Sequence, residues 1–154
     1  MTSLLFVCTG NTCRSPLAEA LTRLEAEARG AEVTVSSAGT FAADGATASL
    51  QSVRAAARRG ADLGAHRSRP LGPEALASAD LVLVMTPAHL RALRIEHGRE
   101  LNVALVTDFL PPDHACQGDP VSDPFGGGED DYEEVARLLE ECVSHILSRL
   151  AEPE

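Results

Sequence analysis

Apolar residues along this chain fall into short unbroken runs separated by stretches at helical spacing. Leu4-Leu5-Phe6-Val7-Cys8 is the first run and reads as a short buried strand. Leu17, Leu21, Leu24 and Ala28 then recur at helical spacing, and Gly30 stops that helix. Val33–Ser36 reads as a second strand, residues 38–47 as a small-residue loop, and residues about 49–60 as a helix ended by Gly60. A loop at Arg67-Ser68-Arg69-Pro70 precedes a short helix over 73–78. Asp80 introduces Leu81-Val82-Leu83-Val84-Met85, whose lack of alternation predicts burial on both faces. A helix near 87–98 ends at Gly98, and a fourth strand follows at 103–106. Residues 107–128, rich in Pro and Gly, predict a long functional loop. The last helix presents Val135, Leu138, Leu139, Cys142, Val143, Ile146 and Leu150 on one face.

Strands alternating with helices imply an α/β fold: a three-layer α/β/α arrangement with a four-stranded parallel, doubly wound sheet and helices on both faces. The length fits a single domain over 1–154. Ligands of such sheets bind beyond the carboxyl ends of the strands, where Cys8 is placed.

With no Trp and one Tyr, the core must be aliphatic. A net charge of −10 argues against a nucleic-acid surface, which needs clustered cations. No apolar run approaches the ~20 residues that span a bilayer, and Met1-Thr2-Ser3 leads straight into the first strand without room for a signal peptide. A cytoplasmic monomer with no membrane partner is expected. Four cysteines at this length do not make a disulfide scaffold, so reduced thiols are the default for Cys8, Cys13, Cys116 and Cys142. Cys8 and Cys13 lack a second ligand pair for zinc. The Gly-x4-Gly-Lys-Ser/Thr nucleotide loop is absent. Neither a metal nor a cofactor is expected.

The segment Cys8-Thr9-Gly10-Asn11-Thr12-Cys13-Arg14-Ser15-Pro16 joins a strand end to a helix start. Its residues would curl so that successive N–H groups point inward, forming an anion nest. Pro16 fits the first helical position and Ser15 its cap, so the helix end would face the same anion. Such a site takes a phosphate-sized dianion and favours a thiolate. Cys8 would be the nucleophile, and Arg14 the bidentate clamp on two phosphoryl oxygens. A lone cysteine is more often a small buried apolar residue; the combination with Gly10, Arg14, Ser15 and Pro16 points to catalysis. Gly10 suits a close backbone approach or a positive φ. Asp123, before Pro124, is the candidate general acid, although Asp119-Pro120 offers the same dipeptide. Cys13 has two open readings: a partner that masks Cys8 as a disulfide against oxidation, or a free thiol under the loop. The acidic run Glu129–Glu134 complements a helix N-terminus.

Val7–Pro16 together with Asp123-Pro124-Phe125-Gly126 resembles the low-molecular-weight protein tyrosine phosphatases. Ser36-Ser37-Ala38-Gly39, His66 and Ser78–Met85 stand in the order that family shows. The resemblance implies phosphorylated protein substrates and a cysteinyl-phosphate on Cys8. It implies Asp123 as acid and then base, and an Asn11 side chain that fixes the loop and is braced by Ser37 and His66. It also implies Ser15 as donor to the Cys8 sulfur, and Phe125 as a wall of the substrate slot. Thr12 and Phe125-Gly126-Gly127 are similar to the protein-arginine phosphatase branch. Thr12 stands where tyrosine-directed members commonly carry a bulky aliphatic residue, and Phe125 where two aromatics often grip a phenyl ring. The expectation is therefore a protein-arginine phosphatase, with a tyrosine phosphatase as alternative. Arsenate reduction is a weaker one, since Met85–Leu93 holds no relay thiol and only Cys116 offers a substitute. A phosphate-recognition module is disfavoured by the intact Cys8, Arg14 and Asp123.

Overall fold

The computed structural model describes residues 1–153. Its elements are β1 (Thr2–Cys8), α1 (Arg14–Arg29), β2 (Val33–Gly39), α2 (Leu50–Arg58), α3 (Pro73–Ser78), β3 (Leu81–Val84), α4 (Pro87–His97), β4 (Val103–Leu105), a 3-10 turn (Val106–Phe109) and α5 (Glu129–Ala151). The strands form one parallel sheet in the order β2-β1-β3-β4. The strand order reverses between β1 and β3, so the crevice beyond their carboxyl ends is the expected binding place.

Because side chains alternate along a strand, β1 feeds both faces. Leu4, Phe6 and Cys8 join Leu17, Ala55 and Leu139 in one core, under α1, α2 and α5. Leu5 and Val7 join Leu76 and Leu93 in the other, under α3 and α4. Residues 81–85 are all buried, as their unbroken apolar run predicts. The three-layer arrangement and parallel four-stranded sheet are thus present.

Several local expectations shift. In α1, Leu17 and Leu21 are buried as expected but Leu24 and Ala28 are exposed, and Ala18, Thr22 and Ala26 complete the buried face. Small side chains there let the helix lie close to its neighbours. In α5, Leu150 is exposed and Leu138 only half-buried, while Tyr132, Ala136 and Leu147 join the core. That helix packs against α1, α2 and the 3-10 turn, so its buried arc is wider than one stripe. Strand β2 runs on to Gly39 because it pairs with β1 along its whole length. The loop from 107 opens with the 3-10 turn rather than irregular chain. Gly30 ends α1 at φ 68°, in the left-handed region that glycine adopts without strain. No helix among the described residues is long and apolar enough to cross a membrane.

Candidate active site

Strand β1 delivers the Cys8 sulfur to the carboxyl edge of the sheet, 2% exposed. The chain then curls over residues 9–13 and enters α1 at Arg14. Most carbonyls of this loop are taken up by neighbouring elements. Those of Cys8 and Thr9 accept from the N–H groups of Thr40 and Phe41, at 2.9 Å each. Asn11 O accepts from His66 Nε2 at 2.8 Å, so that nitrogen carries the proton. Thr12 O accepts from Ser49 N at 2.9 Å, and Cys13 O from Leu17 N and from Ser52 Oγ. With these carbonyls engaged, the N–H groups of Gly10, Thr12 and Cys13 have no protein acceptor among the described residues. The Asn11 N–H reaches the Cys8 sulfur at 3.3 Å. Free loop N–H groups beside the sulfur are what an anion nest requires.

Asn11 is the loop's central pin. It is fully buried and takes φ 56°, a conformation Asn tolerates better than most side chains. Its Nδ2 donates to Ser15 Oγ at 2.8 Å and to Ser37 Oγ at 2.9 Å, and its Oδ1 accepts from Arg69 N at 3.0 Å. Gly10 does not supply the positive φ; Asn11 does, and a Cβ at Gly10 would meet only Thr12 Oγ1 at 3.7 Å. The essential glycine is Gly39 at the end of β2. A Cβ there would collide with the Thr9 carbonyl and with Ala42.

Ser15 is not the helix cap. The cap position is Cys13, with no side-chain cap bond, and Pro16 is the third helical residue. The Ser15 hydroxyl is instead 2.9 Å from the Cys8 sulfur. Since Ser15 Oγ already accepts from Asn11, its own proton is free to point at that sulfur. Cys13 faces away from the anion nest: its sulfur lies 3.5 Å from Tyr132 Oη and 3.5 Å from Ser49 Oγ. All four cysteines are free thiols. Burial, and then the contact with Cys13, pushes the Tyr132 phenol up from its ordinary range. Cys142, buried in α5, is pushed up to about 12 by its burial.

Arg14 is 4% exposed. One of its terminal nitrogens donates to the Val121 carbonyl at 2.9 Å, and the other lies 3.8 Å from Asp123 Oδ2. The Val121 N–H in turn donates to Met85 O at 2.8 Å, tying the 118–128 loop to the end of β3. Of the two Asp-Pro pairs, only the Asp123 carboxylate pairs with Arg14; Asp119 offers its backbone carbonyl to Thr107 Oγ1 at 2.6 Å. Asp123 Oδ1 accepts from Phe125 N at 3.1 Å, and its side chain is 54% exposed. Phe125 itself is 77% exposed. Thr12 is half-buried at the rim.

Sequence reasoning missed three contributors. Arg69 braces Asn11 with its backbone and reaches Ser37 O with its guanidinium at 2.9 Å. Tyr132 closes the layer under Cys13. His89, in the first turn of α4, sets its Nε2 2.9 Å from Thr9 Oγ1. Burial and then the Arg14 guanidinium push this imidazole below its ordinary range, with Asp123 opposing. A signal for His89 existed: the helix after a strand adjoining β1 borders the same crevice.

The sequence profile of the family described as low molecular weight phosphotyrosine protein phosphatase matches residues 3–154. A protein-arginine-phosphatase of Bacillus subtilis is 41% identical over 148 residues, covering 96% of this chain and 95% of that protein. A low molecular weight protein-tyrosine-phosphatase of Streptomyces coelicolor is 36% identical over 154 residues, covering 96% and 92%. Among solved structures, a YwlE mutant from Bacillus subtilis superposes with a TM-score of 0.89 at 38% identity, over 99% of this chain and 100% of that one. A YwlE arginine phosphatase mutant carrying a phosphorylated active-site serine superposes with a TM-score of 0.90 at 38% identity, over 99% and 98%. This chain belongs to the low molecular weight phosphotyrosine protein phosphatase family.

Proposed function

We propose that this protein is a metal-independent protein-arginine phosphatase acting through a cysteinyl-phosphate on Cys8. The observation that carries the reading is the convergence on one buried sulfur of the Asn11 N–H and the Ser15 hydroxyl, with Arg14 and Asp123 paired across the mouth. In the first step the Cys8 thiolate attacks phosphorus and the P–N bond breaks. Asp123 gives its proton to the leaving guanidine nitrogen. In the second, the Asp123 carboxylate takes a proton from water as that water attacks phosphorus. Inorganic phosphate leaves and the thiolate is restored. Loop N–H groups and the Arg14 fork hold the equatorial oxygens, where charge stabilisation counts most.

Three facts support arginine over tyrosine. Thr12 puts a small polar group at the rim, and a single aromatic, Phe125, is followed by Gly126 and Gly127. The Bacillus subtilis relative is named a protein-arginine-phosphatase, as is one from Geobacillus stearothermophilus at 37% identity. The guanidino N–H groups would find the Asp123 carboxylate; a phenyl ring would not. Phosphotyrosine is the second reading, favoured by the exposed ring of Phe125 beside Asp123. Parallel kinetics on phosphoarginine and phosphotyrosine peptides of matched sequence test the choice, with arsenate plus a thiol reductant as third substrate. Activity that survives chelation, yields to vanadate and prefers phosphoarginine is expected. Activity restored only by a divalent metal would sink the mechanism, and a preference for phosphotyrosine would replace the substrate.

The same reading gives Cys13 a protective role. Peroxide converts the Cys8 thiolate to a sulfenic acid, and the Cys13 thiol condenses with it, releasing water and forming a disulfide. Cys13 must first leave Tyr132 and Ser49. After mild peroxide, thiol should restore wild type but not Cys13→Ser; equal recovery would refute the role.

A further inference from the structure

His89 is 9% exposed, and its backbone is locked in the first turn of α4, where its N–H donates to Thr86 Oγ1 at 3.1 Å. Two ring nitrogens are available, but only Nε2 has a protein partner, Thr9 Oγ1 at 2.9 Å. Nδ1 is buried without one. A buried histidine that spends its one hydrogen bond on the residue next to a nucleophile is placed to set that residue's geometry. Resting on the phosphatase reading above, we propose that His89 is a positioning residue of the phosphate loop, acting through Thr9 to fix the loop's first turn against α4.

The environment of the ring makes this arrangement sensitive to what the loop holds. Arg14 faces it from α1, and Asp123 from the 118–128 loop. Thr9 adjoins it from just past the end of β1. A protonated ring would carry an Nδ1–H with no acceptor, so geometry alone favours the neutral form. Burial and Arg14 act in the same direction, against Asp123. A phosphate dianion in the loop adds negative charge on the side of Asp123. Binding of the anion and protonation of His89 therefore assist each other, as linkage requires.

The test uses wild type, His89→Ala, His89→Gln, Thr9→Val and the Thr9→Val/His89→Ala double variant. Gln places an amide near the position of Nε2 and retains a bond to Thr9 without titrating. Misplacement on the ångström scale costs up to ~10²-fold in rate, so His89→Ala is expected to lower kcat by roughly 10–100-fold with a smaller change in KM. His89→Gln should recover most of that loss. The double variant should be no worse than the worse single, since both remove one interaction. In wild type, NMR of the His89 ring should show its titration moving to higher pH on saturation with inorganic phosphate. Additive losses, no recovery in His89→Gln, or a titration indifferent to phosphate would each overturn the proposal. If His89→Ala fails to fold, the phosphate-linked titration and the Gln and Val variants still decide it. Wild type inert on every phosphorylated peptide would instead overturn the phosphatase reading, because the titration is read from phosphate binding without turnover.

Discussion

The two halves of the site are built to opposite specifications. In the phosphate loop, Cys8, Asn11, Arg14 and Ser15 are buried, and the backbone carbonyls are held from β2's exit, the start of α2, the 66–69 loop and α1. Across the mouth, Asp123 and Phe125 are exposed, and the Asp123 carboxylate makes one hydrogen bond and one long approach to Arg14. Under the proposed mechanism, the difference follows from what each half must do. Donors that stabilise a dianion gain most when they are ordered before it arrives. A proton donor must meet a bulky, variable leaving group, and an open loop admits it.

Cys8→Ser attacks the ordered half at its chemical centre and should have the largest effect. Loss of a nucleophile costs on the order of 10⁶-fold in kcat in a comparable covalent mechanism, while vanadate or phosphate binding should persist. Residual turnover near wild type would show that the order serves another residue. Asp123→Ala probes the open half: a general acid contributes ~10²–10⁴-fold, and the loss should be greatest for poor leaving groups. Asp119→Ala should stay near wild type; the reverse ranking would mean that proximity to Arg14 misidentifies the acid. Thr12→Ile changes the rim where the halves meet. An added apolar contact of this size is worth ~10–200-fold in selectivity, so the ratio of phosphoarginine to phosphotyrosine kcat/KM should move toward phosphotyrosine. An unchanged ratio would place selectivity wholly in the open loop.

The smallest effect lies beneath both halves. Arg58, the last residue of α2, and Arg59, which follows it, pair with Glu133 of α5, and Arg58 also with Glu129. Burial opposes ionisation of Glu133, but the two arginines together hold its carboxyl below the ordinary range. Its folded-state proton affinity is thus lower than in the unfolded chain. The stabilisation is present above the ordinary carboxylate range and is lost as pH falls through it. Surface pairs contribute ~0–1 kcal/mol, so Glu133→Gln should cost less than about 1 kcal/mol near neutral pH. The gap from wild type should close in acid. Denaturant unfolding at neutral and acidic pH checks this; a constant gap would assign the loss to packing.

The sequence made the ordered half legible because it is contiguous. Strand, loop and helix lie within Leu4–Pro16, and spacing alone places sulfur and guanidinium at the two ends of one curl. Two details went to other residues for physical reasons. The positive φ belongs to Asn11 rather than Gly10, because three side-chain hydrogen bonds hold Asn11 in that conformation. Ser15 is lost as a cap because the helix already begins at Arg14, which leaves its hydroxyl to Cys8 and Asn11. In the open half, Asp123 and Phe125 were picked out by their Asp-Pro-Phe-Gly context. His89 was not singled out, because its one signal, a place on the helix that follows β3, becomes specific only once β3 is seen to lie beside β1.

The anchor of Arg14 is a main-chain oxygen, that of Val121, which is itself hung from the main-chain oxygen of Met85. Nothing in this chain of contacts reads a side chain at 121 or 85. Both side chains are fully buried in the core, so packing constrains their size while the guanidinium itself reads only the backbone. The number of residues along the chain is what it depends on. Removing or inserting one residue between Pro120 and Asp123 would slide the wrong carbonyl under Arg14 and move Asp123 off its mark. At this edge of the site the guanidinium depends on the spacing of the chain rather than on which side chains stand at 121 and 85.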